Sequence, residues 1–445
     1  MNIHLSLFRA SSLALLVAAT IILSAGSFGQ VFNNFGYGYG YGYGYGYGYG
    51  ETDEPSLTTI QKSILGEFYT SLNGDDWTQK DGWNEAASVC DWFGITCDGS
   101  GAITEISLVN NMLQGTLIED VWTLPSLVNL SLGKNQIVGA LPATLLSESL
   151  QTLDLSENKL SGELPGNIGK FPSLSTLSLQ SNKLSGAIPD FSQGASNLKN
   201  LWLHENNLTG LIPDSISELT KLEILSLFAN DLTGTIPNSL AKLTKLKVLQ
   251  LGQNALSGEI PEIFSGLPDF YRLSLRDNLL AGNIPKSIGE LNNLEYLYLD
   301  NNQLSGPIPD IFTNLTNLKV LSLSGNELSQ SLPILSAASS LERIDLSSNS
   351  FTGELVDVFS SLSNLKYLQL FDNNWTGPPP AWLSSLSQNG VTVVSLDRGR
   401  YAFTNVLPIL ELEIDTSLRV DSQRDGNESA VVSFTSSDVD GVISS

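Results

Sequence analysis

The 445 residues carry 46 acidic against 22 basic side chains, a formal net charge of −24 at pH 7. No basic stripe is present to neutralise phosphates, which argues against nucleic acid, and the same sign argues against adhesion to anionic membrane surfaces. Two histidines and two cysteines leave little inventory for metal or triad chemistry.

Residues 1–30 read as a targeting segment. Arg9 supplies a weak positive start, residues 12–24 a short apolar stretch, and Ser24, Ala25, Gly26, Ser27 and Gly29 a small-residue cleavage region. The stretch is too short to span a bilayer comfortably. A cleaved signal and a secreted or cell-wall protein are therefore expected; retained, the same segment would anchor the chain to a membrane. No later run is long enough to form a stable membrane span.

Residues 31–55 form a low-complexity linker in which 37–50 is seven consecutive Tyr-Gly pairs. Alternate glycine leaves no face to bury, so a flexible spacer is expected. An adhesive role for the tyrosines is the alternative.

Residues 56–100 read as an N-terminal cap. Leu57, Ile60, Ile64, Leu65, Phe68, Tyr69 and Leu72 recur at helical spacing after Pro55-Ser56, and Asn73-Gly74 ends the pattern. Such a helix would cover the open edge of a following sheet. Cys90 and Cys97 are the only cysteines. In a chain with a signal segment an isolated pair reads as a disulfide, and further ligands for a metal are lacking.

From 101 to 388 one frame returns. Its fixed mark is an asparagine, at Asn111, Asn135, Asn158, Asn182, Asn206, Asn230, Asn254, Asn278, Asn302, Asn326, Asn349 and Asn373, spaced by 23 or 24 residues. These twelve repeats carry L-x-x-L-x-L-x-x-N, the signature of a solenoid whose turns each supply a short strand to one sheet. In the turn ending at Asn302, Leu297 and Leu299 are two apart and share one face of a strand, while Tyr296, Tyr298 and Asp300 take the other. Asn302 then stands where the chain turns, with two donors and an acceptor for backbone groups left unpaired there. Gly306 permits a positive φ. One turn alone buries too little apolar surface to offset its ordering entropy, so neighbours must supply the remainder.

After the asparagine, L-x-G-x-[IL]-P recurs, as in Leu160-Ser161-Gly162-Glu163-Leu164-Pro165 and Leu304-Ser305-Gly306-Pro307-Ile308-Pro309. This resembles the plant-type class of leucine-rich repeat, found in receptor-kinase ectodomains, receptor-like proteins, polygalacturonase-inhibiting proteins and secreted algal proteins. The run from Cys90 to Cys97 resembles the cap motif of that class, C-x-W-x-G-[VI]-x-C. The resemblance covers about residues 57–385. It implies an α/β repeat solenoid: a curved superhelix with a parallel sheet on its concave face, a second short strand at the Gly-x-Ile-Pro step, and a helical, disulfide-bonded N-terminal cap.

Leucines fixed by packing leave only outward strand positions free to encode a partner. In repeats five to nine these include Trp202, His204, Phe228, Gln250, Arg272, Arg276, Tyr296, Tyr298 and Asp300, followed by Arg343, Tyr367 and Phe371. Exposed aromatics and arginines on a rigid surface are what binding hot spots are made of, so these nine residues from Trp202 to Asp300 are expected to contact the ligand. Sequons at Asn129, Asn207, Asn314, Asn374 and Asn427 are candidate glycan sites; a glycan on Asn129, at an outward position of repeat two, would push the ligand toward the middle.

Towards the end, repeat ten has Gln330 where glycine is expected, and repeat twelve reads Trp375-Thr376-Gly377-Pro378-Pro379-Pro380. Residues 389–420 contain apolar clusters at 391–394 and 410–414 that suit a C-terminal cap on the last strand. Residues 421–445 are polar and acidic, and disorder is expected.

Enzymatic readings fail on inventory, since His204 has no argued serine partner; no cofactor, no catalytic residue, no metal site and no kinase elements are expected. Three readings remain. The first is an extracellular or cell-surface recognition module binding a protein or peptide ligand on the concave face, receptor-like without a kinase and dependent on a membrane co-receptor for signalling. The second is an inhibitor of a secreted hydrolase acting on carbohydrate, and the third a structural or adhesive wall protein.

Overall fold

The computed structural model describes residues 56–394 apart from 84–87, 143–146, 193 and 379. The targeting segment, the Tyr-Gly linker, the apolar cluster at 410–414, Asn427 and the acidic tail lie outside the described residues.

Each turn contributes one strand to a long sheet and one to a second sheet, of fourteen and twelve strands. In the long sheet every pairing is parallel from Ile103–Ser107 through to Thr392–Val394, and the register is set by the leucines: Leu201, Leu225, Leu249, Leu273 and Leu297 lie directly beside one another. All five are at most 1% exposed, within a continuous core that runs from the cap to the last turn. The second strand forms just ahead of the step that the family pattern implied, as in Gln303–Gly306. Gly306 takes φ 73° there, as expected.

The asparagines hold successive turns together. The Asn302 carboxamide nitrogen donates to the carbonyls of Leu275, Leu299 and Asp300 at 3.0–3.2 Å, and its oxygen accepts from the Leu280 amide at 3.0 Å. Asn278, Asn254 and Asn230 repeat the arrangement. A leucine at this position could serve none of these groups. One feature of the turn is not visible in the repeat pattern. The residue before each asparagine, from Asn110 and Lys134 to Ser348 and Asp372, is in the left-handed region, yet it varies freely in type. The asparagine bonds on both sides of it hold the conformation in place of a residue preference.

The N-terminal helix spans Leu57–Ser71, with Ser56 capping Thr59. It buries Ile64, Leu65, Phe68 and Tyr69, with the rings of Phe68 and Tyr69 packed on Trp77 and Trp83. Its expected role at an open sheet edge is divided between the two sheets, and the long sheet's edge is met mainly by another element. The first parallel strand is paired by an antiparallel strand, Ile95–Cys97, whose Ile95 lies opposite Ile106. On this edge the helix supplies Gln61, buried, which accepts from the Ile103 amide at 2.7 Å and donates to the Gly101 carbonyl, while its C-terminal end covers the edge of the second sheet, where the Leu72 carbonyl accepts from the Gln114 amide at 3.1 Å. The disulfide from Cys90 to Cys97 ties that edge strand to the preceding loop.

At the other end, the outer part of the last turn becomes a helix, Ala381–Gln388, where earlier turns have a short 3-10 segment such as Asp214–Glu218. Leu383 and Leu386 of this helix are buried. Thr392–Val394 then pairs with Tyr367–Gln369.

Candidate ligand-binding face

The long sheet has an inner face of leucines and an open face made from the alternating positions. Register places these in rows. One runs Trp202, Ser226, Gln250, Ser274, Tyr298 across five successive strands. A second contains Arg272, Tyr296, Val320, Arg343 and Tyr367. Two residues beyond the first row stand His204, Phe228, Gly252, Arg276 and Asp300, aligned by the amide of each following residue donating to the next turn's carbonyl.

The nine residues singled out from the sequence all lie on this open face, and none belongs to the leucine core. They are not, however, the exposed patch that was expected. Trp202, His204, Phe228, Gln250, Arg272 and Tyr298 are each 4–9% exposed, and only Arg276, Tyr296 and Asp300 are half-buried. The cause is lateral: strands about 4.8 Å apart bring large side chains of successive turns into mutual contact, so each covers its neighbour. The Arg272 guanidinium sits 5.4 Å from the Tyr296 ring and 5.6 Å from the Tyr298 ring. Arg276 lies 5.2 Å over Phe228, and Arg343 5.7 Å over Tyr367. Tyr367 itself is 38% exposed, so the more accessible aromatic surface lies further along than the nine.

Burial controls the titration of this face. It pushes His204 down to about 4, with Glu205 offsetting part of the effect. It lifts Asp300 to about 6 against the Ser322 hydroxyl, which donates to the carboxylate, and the nearby Arg276 charge. It also raises Tyr298. The histidine is therefore neutral near neutral pH and largely buried.

Five buried polar atoms here have no hydrogen-bond partner: Trp202 Nε1, His204 Nδ1, Ser226 Oγ, Arg272 Nε and Asp300 Oδ1. They occupy four of the five turns from repeat five to repeat nine, Trp202 and His204 sharing one, with only Gln250's turn omitted. Ser226 and Gly252 were missed in the sequence because only large outward residues were considered; their place in the frame identifies them. Of the sequons, Asn129 is on the long sheet, half-buried, whereas Asn207 and Asn374 are exposed on the second sheet. Asn314 is exposed, with its amide donating to the Gly289 carbonyl.

Comparison with known proteins fits this architecture. The family described as Leucine rich repeat matches residues 172–232, 244–304 and 292–351, the two-copy form matches 148–193, and the Leucine rich repeat N-terminal domain matches 61–98. Phytosulfokine receptor 1 of Arabidopsis thaliana is 38% identical over 94 residues, which are 20% of this chain and 9% of that protein. Among solved structures, a TDR receptor superposes with a TM-score of 0.59 at 32% identity, covering 64% of this chain and 50% of that one. The Arabidopsis receptor kinase HAESA, in complex with the peptide hormone IDA and the co-receptor SERK1, superposes with a TM-score of 0.54 at 29% identity, covering 76% of this chain and 65% of that one. The match thus spans less than a tenth of Phytosulfokine receptor 1. This chain is a leucine-rich repeat protein with a leucine-rich repeat N-terminal domain, homologous to the ectodomains of plant leucine-rich repeat receptor kinases.

Proposed function

We propose that this chain is an extracellular or cell-surface recognition module that holds a protein or peptide ligand on the open, concave face of its long sheet. The observation that carries the reading is the concentration of unpartnered buried polar atoms on that face, at Trp202, His204, Ser226, Arg272 and Asp300. Each costs about 1–3 kcal/mol unless a partner arrives, whereas the asparagines of the turns beside them have their carboxamide groups paired, as at Asn302. A ligand that rearranges these side chains recovers the missing bonds. From Trp202 to Tyr367 the face crosses seven strand intervals, roughly 34 Å, which an extended peptide covers with about ten residues. Homology to receptor ectodomains, one of them solved with a peptide hormone and a co-receptor, supports a peptide ligand and a membrane co-receptor as the partners.

Glycans on Asn207 and Asn374 would leave the long sheet open, whereas one on Asn129 would close its first turns. The test is capture of a partner from culture medium by the wild-type chain and by the variant Arg276→Glu with Arg343→Glu. Both arginines are half-buried, so the variant should keep its melting temperature within a few degrees and lose the partner. A variant that captures the same partner equally well refutes the reading.

A further inference from the structure

Arg276 turns away from the carboxylate on the next strand. Its guanidinium reaches back two turns onto the Phe228 ring, 5.2 Å from the ring centre. The path crosses Gly252, where the missing side chain leaves it room: a Cβ there would lie 3.0 Å from Arg276 Cγ and 3.3 Å from Phe228 Cδ2, and one of them would have to shift. Among the described residues its one ion pair is the loose contact of Nε with Asp277, 3.7 Å. On the opposite side Asp300 Oδ1 is buried without a partner.

We infer that Phe228 and Gly252 form a subsite for one apolar side chain of a ligand, that Arg276 covers it in one of two positions of its guanidinium, and that Asp300 is the alternative seat to which the guanidinium withdraws. The inference rests on the reading of the long sheet as the binding face. With the guanidinium withdrawn, the space over Gly252 is bounded by strands two intervals apart, about 10 Å, which admits one aromatic or aliphatic side chain.

The charge on Asp300 decides the position. Arg276 and Asp277 face it from the preceding turn and Ser322 from the following one, where Ser324 and Gly325 add no charge. Arg272 and Arg343 act on its neighbour Tyr298. With a carboxyl at about 6, Asp300 is largely neutral at pH 5 and Arg276 stays on Phe228. At pH 7.5 it is ionised and attracts the guanidinium.

The experiment uses the full chain with 13C-labelled arginine and N-acetylphenylalanine amide as the apolar probe. Stacking on Phe228 shifts the Arg276 side-chain protons upfield. In the wild type that shift should be present at pH 5 and lost at pH 7.5, and the probe should bind about tenfold more weakly at pH 5, following the ionised fraction of Asp300. Asp300→Asn should retain the shift at both pH values and bind the probe weakly at both. Arg276→Ala should bind it at both. An upfield shift that persists in the wild type at pH 7.5, or an Arg276→Ala variant with no gain in probe binding at pH 5, overturns the inference. Neither readout involves the natural ligand, so either can fail while a captured partner still occupies the long sheet, and the reverse.

Discussion

His204 and Asp300 stand in one row of the long sheet, four strands apart, and burial perturbs them in opposite senses. The histidine, held down to about 4, contributes stability that is present above the ordinary value of 6.5 and lost as pH falls through 4. The carboxyl, lifted to about 6, contributes stability that is present below 3.8 and lost as pH rises through 6. Each effect is on the order of 2–3 kcal/mol. Between pH 4 and 6 they oppose, so the wild-type chain should show nearly level stability. Asp300→Asn should become more stable by about 2 kcal/mol across that window and His204→Gln less stable by a similar amount. Urea unfolding at pH 4, 5 and 6 measures this; three parallel profiles would contradict it.

Asn302→Leu keeps the volume of the side chain and removes its hydrogen bonds. It strands the Leu280 amide and leaves the carbonyls of Leu275, Leu299 and Asp300 short of a donor. At about 1–3 kcal/mol for a stranded buried group, the variant should lose roughly 3–5 kcal/mol in denaturant unfolding. The exposed neighbour Gln303→Leu should lose little. Equal effects at the two positions would remove the asparagine from its role as the joint between turns.

Gln330 adopts φ 68° where most repeats have glycine. Gln330→Gly should therefore stabilise the fold by about 0.5–1 kcal/mol, the relief of a left-handed side chain less the added entropy of the unfolded chain. The reciprocal change Gly306→Ala should destabilise by at least about 1 kcal/mol, since its φ is 73° and a Cβ there would meet the Asn283 side chain. Thermal unfolding of the two variants distinguishes the signs.

The repeat was legible in the sequence because its constraints are local: Leu297, Leu299, Asn302 and Gly306 each answer to geometry within one turn. So was the cysteine pair. What was not legible depends on neighbours about 24 residues away. Arg272 and Tyr298 read as exposed because their strand position is outward, and only the parallel register shows that each is covered by the next turn. Gln61 sits among apolar helix positions, and its buried role follows from the Ile103 amide and the Gly101 carbonyl, some forty residues on. The left-handed residues before each asparagine carry no common residue type, so nothing in Lys134 or Ala229 announces them.

The central claim is that the partner lies on the long sheet, across the side chains that rise from it. Covalent carbene footprinting with and without the captured partner addresses this at the side chains themselves. Tyr296, half-buried, and Tyr367, 38% exposed, should lose labelling in the complex, while Leu211 on the second sheet, 63% exposed, should keep it. Unchanged labelling of both tyrosines, with protection at Leu211, would place the partner on the wrong sheet and contradict the account.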